Sequence, residues 1–144
     1  MLPFACFPAA PAFRLDGLAD RVVLVVEDEF MVCELAAEAL HDEGYRVLTA
    51  ADAVEAEEIL AHERVDLLFT DIDLARNTNG LALAHRARCQ HPDLPVVYTS
   101  GGCGGLSPSE AVCDSVFVPK PYLPSDIVAL TNDMLRRFPN PHHA

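Results

Sequence analysis

Residues 22–29 read VVLVVEDE, five apolar residues followed directly by three acidic ones. A continuous and mostly β-branched run of this length is typical of a strand that is buried on both faces, as in a parallel sheet covered by helices. The apolar residues of 29–43 then recur at the spacing of one helix face, and Gly44 is well placed to end that helix. They are Val32, Leu35, Ala36, Ala39 and Leu40. The stretch therefore predicts a buried strand, a helix, and three carboxylates where the strand ends.

The rest of the chain repeats this alternation of short apolar runs and helical patterns. Further strands are predicted at 45–49, 65–70, 94–99 and 115–118, and further helices at 53–62, at 81–90 and from 125 onward. Asp52 is placed to cap the helix at 53–62, with Glu55 as its capping-box partner. Strict alternation predicts an α/β protein with a doubly wound parallel sheet, helices on both faces and right-handed crossovers.

Composition limits the classes of function. The 144 residues fit one domain, since domains are most often roughly 100–150 residues long. We divide them into an N-terminal arm (1–20), the patterned unit (21–138) and a C-terminal tail (139–144).

Ten basic and 22 acidic residues give a formal net charge of −12, which a nucleic-acid backbone repels. No apolar run approaches the ~20 residues of a membrane span, and the chain start lacks the basic residues of a signal peptide. Five cysteines without a Cys-x-x-Cys pair are typical of free thiols in a reducing cytoplasm.

Chemically active side chains stand where the predicted strands end. They are Glu27 and Asp28 after the first strand, Asp71 after the third, Thr99 after the fourth and Lys120 after the fifth. In a parallel sheet these ends share one edge, and ligands bind there at the switch in strand order. Two carboxylates 4 Å apart repel by about 4 kcal/mol at an effective dielectric of 20, a cost that a bound divalent cation removes. Mg²⁺ prefers oxygen ligands, and a carboxylate beside it is a nucleophile suited to phosphoryl transfer.

Four segments together resemble the CheY-like receiver domain of bacterial two-component response regulators. They are VVLVVEDE (22–29), LLFTDIDL (67–74), PVVYTSG (95–101) and VFVPKPY (116–122). Each is common by itself, since acids after a strand also cap helices, but their combination and order are specific. The resemblance implies a receiver domain over 21–138 with a flavodoxin-like five-stranded parallel sheet, (βα)5.

The resemblance also implies roles for the acidic residues. Asp71 matches the phosphoacceptor of the family. Glu27 and Asp28 match the acid pair that binds Mg²⁺ together with Asp71, and the main-chain carbonyl of Asp73 matches a further metal ligand.

Further matches lie on the fourth and fifth strands. Thr99 matches the switch hydroxyl and Lys120 matches the invariant lysine of the family. Pro121 matches a proline whose bond to the preceding lysine is usually cis. Phe117 stands at the aromatic switch position, and it is equally typical of a core residue.

Two segments depart from the family pattern. Ala75 stands where the family usually has proline, so we expect a less constrained loop, and Asp73 adds a carboxylate to it. The segment 101–105 contains four glycines, which cost about 1 kcal/mol each in a helix interior, and Pro108 fits only a first helical turn. The fourth helix is therefore predicted to be shortened or disordered. The segment is equally typical of a plain loop and of an order–disorder switch controlled by phosphorylation.

The implied function is that of a stand-alone, single-domain response regulator, because no output domain follows residue 138. It accepts a phosphoryl group on Asp71 from a sensor histidine kinase or a histidine phosphotransfer protein, with Mg²⁺ as cofactor. It then signals to an unknown protein target, with no direct nucleic-acid or membrane partner. No enzyme activity is implied beyond its own phosphorylation and dephosphorylation. The apolar arm and the odd number of cysteines fit a homodimer.

Three other functions stay open. The same fold serves as a phosphorylation-independent docking module, and a receiver also acts as a phosphate sink. Residues 71–73, Asp-Ile-Asp, have the form of the motif in haloacid-dehalogenase-type phosphatases. That motif usually follows the first core strand, however, whereas here it follows the third, and the chain has no room for a cap domain.

Overall fold

A computed structural model describes residues 21–102 and 109–137. The elements are β1 Val22–Val26, α1 Phe30–Glu43, β2 Arg46–Ala50, α2 Ala53–His62, β3 Leu67–Asp71, α3 Gly80–Gln90, β4 Val96–Ser100, β5 Ser115–Pro119 and α4 Pro124–Arg137. The predictions for the arm, the tail and most of the glycine-rich segment fall outside the described residues. Between β4 and β5, the described residues 101–102 and 109–114 form bends and turns and no helix, which is consistent with a shortened fourth helix. None of the helices in the described ranges has the length and apolarity to cross a membrane.

The sheet has the strand order β2-β1-β3-β4-β5, and every neighbouring pair is parallel. This confirms the predicted flavodoxin-like parallel sheet. The chain leaves β1 for β2 on one side and then crosses to β3 on the other side. The switch in strand order therefore lies between β1 and β3, and their carboxyl ends flank the crevice where such sheets bind ligands.

The core consists of one layer on each face of the sheet. Leu24 and Val26 of β1 belong to the layer formed with α2 and α3, whereas Val23 and Val25 belong to the layer formed with α1 and α4. Because successive side chains of a strand point to opposite faces, one continuous apolar run supplies both layers.

Two helix ends follow their predicted local signals. Asp52 caps α2, and its Oδ1 accepts a hydrogen bond from the Glu55 N–H at 2.8 Å. The Glu55 carboxylate reaches back one residue beyond the cap, where the Ala51 N–H donates to Oε1 at 2.7 Å. Gly44 ends α1 with a φ of 114°, in the left-handed region that favours glycine.

The predicted apolar face of α1 is wrong at one position. Leu35 is 53% exposed, and the buried residues of the helix are Cys33, Ala36 and Leu40. The buried stripe is thus narrower than the predicted one and is rotated away from Leu35. The predicted strands β2, β3 and β4 also begin one or two residues too early.

Candidate functional site

Asp71 is the last residue of β3 and lies at the switch in strand order. Only 4% of its surface is exposed. Its Oδ1 accepts a hydrogen bond from the Asp73 N–H at 3.1 Å, and its Oδ2 accepts one from the Lys120 ammonium at 2.8 Å. Both oxygens of this carboxylate are therefore oriented by neighbouring groups.

Glu27 and Asp28 directly follow β1 and form an acidic cluster with Asp71. Glu27 is buried, and its Oε1 lies 2.7 Å from the Nζ of Lys120. Its Oε2 accepts a hydrogen bond from the Glu29 N–H at 3.1 Å. Asp28 is exposed, yet one oxygen from each of the three acids lies within 4.8 Å of the other two. The structure thus brings together the three carboxylates that the sequence placed at the strand ends.

Lys120 is the cation of this cluster. Burial disfavours its ammonium form, but hydrogen bonds with Asp71 and Glu27 outweigh burial and raise the pKa of Lys120 above its ordinary value. Burial raises the pKa of Glu27, although the hydrogen bond from Lys120 opposes the rise. With all groups ionised, three carboxylates and one ammonium leave two negative charges in excess.

This set of donors fits Mg²⁺. The ion takes oxygen ligands at about 2.0–2.1 Å in an octahedral arrangement, so opposite ligands stand about 4.2 Å apart. One oxygen from each of Glu27, Asp28 and Asp71 lies within 4.8 Å of the other two, so the three carboxylates are grouped on the scale of one such ion site. The doubly positive ion also balances the excess charge of the cluster. The main chain of Asp73 lies beside the Asp71 carboxylate, as the hydrogen bond from the Asp73 N–H shows.

Thr99 lies next to Asp71 in the register of β3 and β4. It is buried, and its Oγ1 has no hydrogen-bond partner in the part of the chain that the structure describes. An unpaired buried hydroxyl costs about 1–3 kcal/mol. The site therefore holds a hydroxyl donor beside the carboxylate with its hydrogen-bonding capacity unused.

The fifth strand carries the remaining predicted site residues. The peptide bond between Lys120 and Pro121 is cis, as predicted. Phe117 pairs with Tyr98 in the register of β4 and β5, and it is half-buried against the core layer of α2 and α3. Its position fits a core residue, and its role as a switch stays a prediction.

Sequence reasoning missed two residues of this region, Gly80 and Ser100. A Cβ at Gly80, the first residue of α3, would lie 2.1 Å from the main-chain oxygen of Asp71. The Ser100 Oγ donates to the Asp73 Oδ2 at 3.3 Å and accepts from the Gly102 N–H at 3.0 Å. Ser100 directly follows Thr99, and this is the one signal that the sequence offers for it. Gly80 is close to Asp71 only in the fold, so the sequence offers no signal for it.

A parallel sheet of this order, with acids at the switch point and a lysine bridging two of them, defines the class of CheY-like α/β proteins. The sequence pattern of the response regulator receiver domain matches residues 23–131. The chain belongs to this family, whose members are the phosphoryl-accepting modules of two-component signalling.

Curated relatives match most of this chain. The probable transcriptional regulatory protein TcrX of Mycobacterium tuberculosis is 31% identical over 133 residues, which cover 86% of this chain and 53% of TcrX. The nitrogen assimilation regulatory protein NtrX of Azorhizobium caulinodans is 35% identical over 117 residues, which cover 78% of this chain and 26% of NtrX. The chain thus spans about half of one relative and about a quarter of the other.

Two solved receiver structures match over nearly their whole length. The receiver domain of the hybrid histidine kinase CckA is 31% identical, with a TM-score of 0.68 over 79% of this chain and 98% of that one. The chemotaxis response regulator CheY4 of Vibrio cholerae is 25% identical, with a TM-score of 0.72 over 80% of this chain and 98% of that one. The family and these structures favour a receiver over the phosphatase alternative.

Proposed function

We propose that this receiver accepts a phosphoryl group on Asp71, with Mg²⁺ bound by Glu27, Asp28, Asp71 and the main-chain carbonyl of Asp73. The donor is a phosphohistidine on a sensor histidine kinase or on a histidine phosphotransfer protein. Bound Mg²⁺ supplies neutralising charge for the phosphoryl oxygens. The observation that supports the proposal most is the buried Asp71 carboxylate, which meets the two other acids and Lys120 at the switch point.

The proposed step exchanges one bond to phosphorus for another. An Asp71 oxygen forms a bond to phosphorus while the phosphorus–nitrogen bond of the phosphohistidine breaks, and its electron pair leaves on the imidazole nitrogen, which takes up a proton. The product is an acyl phosphate. Lys120 has three N–H donors, so it can turn one towards a phosphoryl oxygen while it keeps its contact with Glu27. Such a transfer depends on positioning and charge neutralisation, which these groups supply.

Thr99 is the second proposed donor to the phosphoryl group. Because its Oγ1 is buried beside Asp71 without a partner in the described ranges, donation to a phosphoryl oxygen removes the cost of an unpaired hydroxyl. The proposed switch couples this hydroxyl to Phe117, whose half-buried ring lies on the neighbouring strand.

The test is intact-mass spectrometry after incubation with acetyl phosphate, with and without Mg²⁺. The wild type is expected to gain a single phosphate adduct that requires Mg²⁺, and Asp71→Asn is expected to gain none. Asp93→Asn changes an exposed aspartate in the connection before β4 and serves as the matched control, with labelling like the wild type. Circular dichroism checks that each variant is folded.

Each outcome separates the alternatives. Labelling that persists in Asp71→Asn contradicts the proposed acceptor, and labelling without Mg²⁺ contradicts the proposed metal site. A folded wild type that takes no phosphate, either from acetyl phosphate or from a phosphorylated kinase, favours a docking module.

The proposed output is contact with a protein, which is supported by the net charge of −12 because that charge opposes binding to DNA. A target that binds the phosphorylated form more tightly distinguishes this output from a phosphate sink. The stand-alone arrangement stays a prediction, and the mass of the protein isolated from its native source tests it.

A further inference from the structure

The loop between β3 and α3 (residues 72–79) carries the Asp73 carbonyl that is proposed above as a metal ligand. Asp73 and Asn79 form an antiparallel bridge at the base of this loop. Nearer its tip, the Thr78 N–H donates to the Ala75 carbonyl at 3.1 Å. The loop is thus a closed, hairpin-like unit, whose hydrogen bonds connect its tip to its base.

The tip of the loop has an unusual backbone conformation. Arg76 and Asn77 have φ values of 57° and 55°, so two successive residues other than glycine lie in the left-handed region. L-residues rarely adopt that region in succession. Such a conformation persists where surrounding contacts hold it.

Two contacts join the tip to the start of α2. The Arg76 guanidinium forms an ion pair with the Asp52 carboxylate, and the Thr78 Oγ1 accepts a hydrogen bond from the Ala53 N–H at 3.2 Å. The Asp52 side chain is 4% exposed and the Arg76 side chain is 71% exposed, so the arginine reaches from the surface onto a buried acid. That acid is fixed in turn, because it caps α2 through the Glu55 N–H.

We propose that the Arg76–Asp52 ion pair is a positioning device for the metal site. It fixes the loop that carries the Asp73 carbonyl, and it supplies a restraint where Ala75 replaces the expected proline. Arg76 acts through the loop and not on the reacting atoms, so its effect falls on metal affinity. This inference rests on the proposed function, because it requires the chain to bind Mg²⁺.

Magnesium titration calorimetry on the full chain tests the proposal with a matched pair of variants. Arg76→Ala removes the tether. Arg86→Ala removes a more exposed arginine–carboxylate ion pair, between Arg86 of α3 and Glu57 of α2, without touching the loop. Loss of a group that orients a metal ligand typically weakens metal binding about 10- to 100-fold, and since Arg76 acts through one ligand we expect about tenfold. Arg86→Ala is expected to stay within about twofold of the wild type, because exposed ion pairs contribute little.

A second variant separates the ion pair from other effects of the alanine. Asp52→Asn removes the charge of the partner, while its amide oxygen can still cap α2. The double variant Arg76→Ala/Asp52→Asn is expected to bind Mg²⁺ no more weakly than either single variant, because all three lack the same interaction. Hydrogen exchange without metal is an independent readout, and the amides of 74–79 are expected to exchange faster in Arg76→Ala than in the wild type.

The outcomes distinguish this inference from the proposed function. An Arg76→Ala variant that binds Mg²⁺ within about twofold of the wild type overturns the positioning role and leaves the proposed function intact. Unchanged amide exchange at 74–79 overturns it as well. A wild type that binds no Mg²⁺ overturns the proposed function instead.

Discussion

Replacing Gly80 with alanine tests whether the main chain behind Asp71 is as tightly packed as the structure shows. The φ of Gly80 lies outside the left-handed region, so its conformation is open to any residue, and the need for glycine comes from space alone. A Cβ would lie 2.1 Å from the Asp71 main-chain oxygen and 2.9 Å from the Thr70 Oγ1, whereas real Cβ contacts essentially never fall below 3.0 Å. Either α3 or the end of β3 must move.

Two opposing terms set the size of the effect. Alanine is favoured over glycine in a helix interior by about 1 kcal/mol, and less at the first helical position. Overpacking typically costs about 1–3 kcal/mol, and more when the clash is with backbone that cannot rotate away. The contact at Gly80 is with backbone, so the steric cost wins and we expect a net loss of about 2 kcal/mol in the free energy of unfolding. For a domain of this size, that loss lowers the melting temperature by about 7–8 °C.

Thermal unfolding followed by circular dichroism measures this loss, with Gly101→Ala as the control. A Cβ at Gly101 meets no atom of the described residues within 4 Å, so the control is expected to change the free energy of unfolding by no more than about 0.5 kcal/mol. A Gly80→Ala protein that melts at or above the wild-type temperature refutes the packing argument. The same result would mean that neither α3 nor the end of β3, which carries Asp71, has to move to accommodate the alanine.

Two further expectations follow from the charges near the site. Asp28→Asn removes one ligand charge and is expected to weaken Mg²⁺ binding about tenfold in calorimetry, whereas Asp93→Asn leaves it unchanged; equal affinities contradict the acid-pair role. The Glu55 N–H and the Arg76 guanidinium hold the pKa of Asp52 below its ordinary value. A lowered folded-state pKa contributes stability that is complete above the unfolded-state pKa of about 3.9 and is lost as the pH falls through the folded-state value. The difference in urea stability between the wild type and Asp52→Asn is therefore expected to shrink below pH about 4, and a constant difference contradicts the linkage.

The parallel sheet was predictable because its signals are local. The apolar run Val22–Val26 needs no alternation, since both of its faces are covered, and the acids after it already mark the end of the strand. The start of β3 was predicted two residues too early, because Val65 and Asp66 were included in the strand although it begins at Leu67. The buried carboxylate of Asp66 accepts a hydrogen bond from the Val22 N–H at 2.8 Å, a partner 44 residues away that no local pattern reveals.

The same distinction applies to the site. Asp71, Thr99 and Lys120 could be placed together because parallel strands bring their ends to one edge. The tether of Arg76 to Asp52 spans 24 residues and joins a loop to a helix cap, so it depends on the tertiary arrangement of β2 and β3. The sequence predicts a less constrained loop at Ala75, because the pattern around Ala75 gives no sign of this ion pair.

The Ser100 hydroxyl links two loops through a single atom. Its proton is donated to Asp73 of one loop, and its lone pair accepts the Gly102 N–H of the other. The resonance frequency of an amide proton depends on the length and direction of its hydrogen bond. The Gly102 amide is therefore a built-in spectroscopic reporter, whose signal registers a displacement of Asp73 although Gly102 itself lies outside the carboxylate cluster.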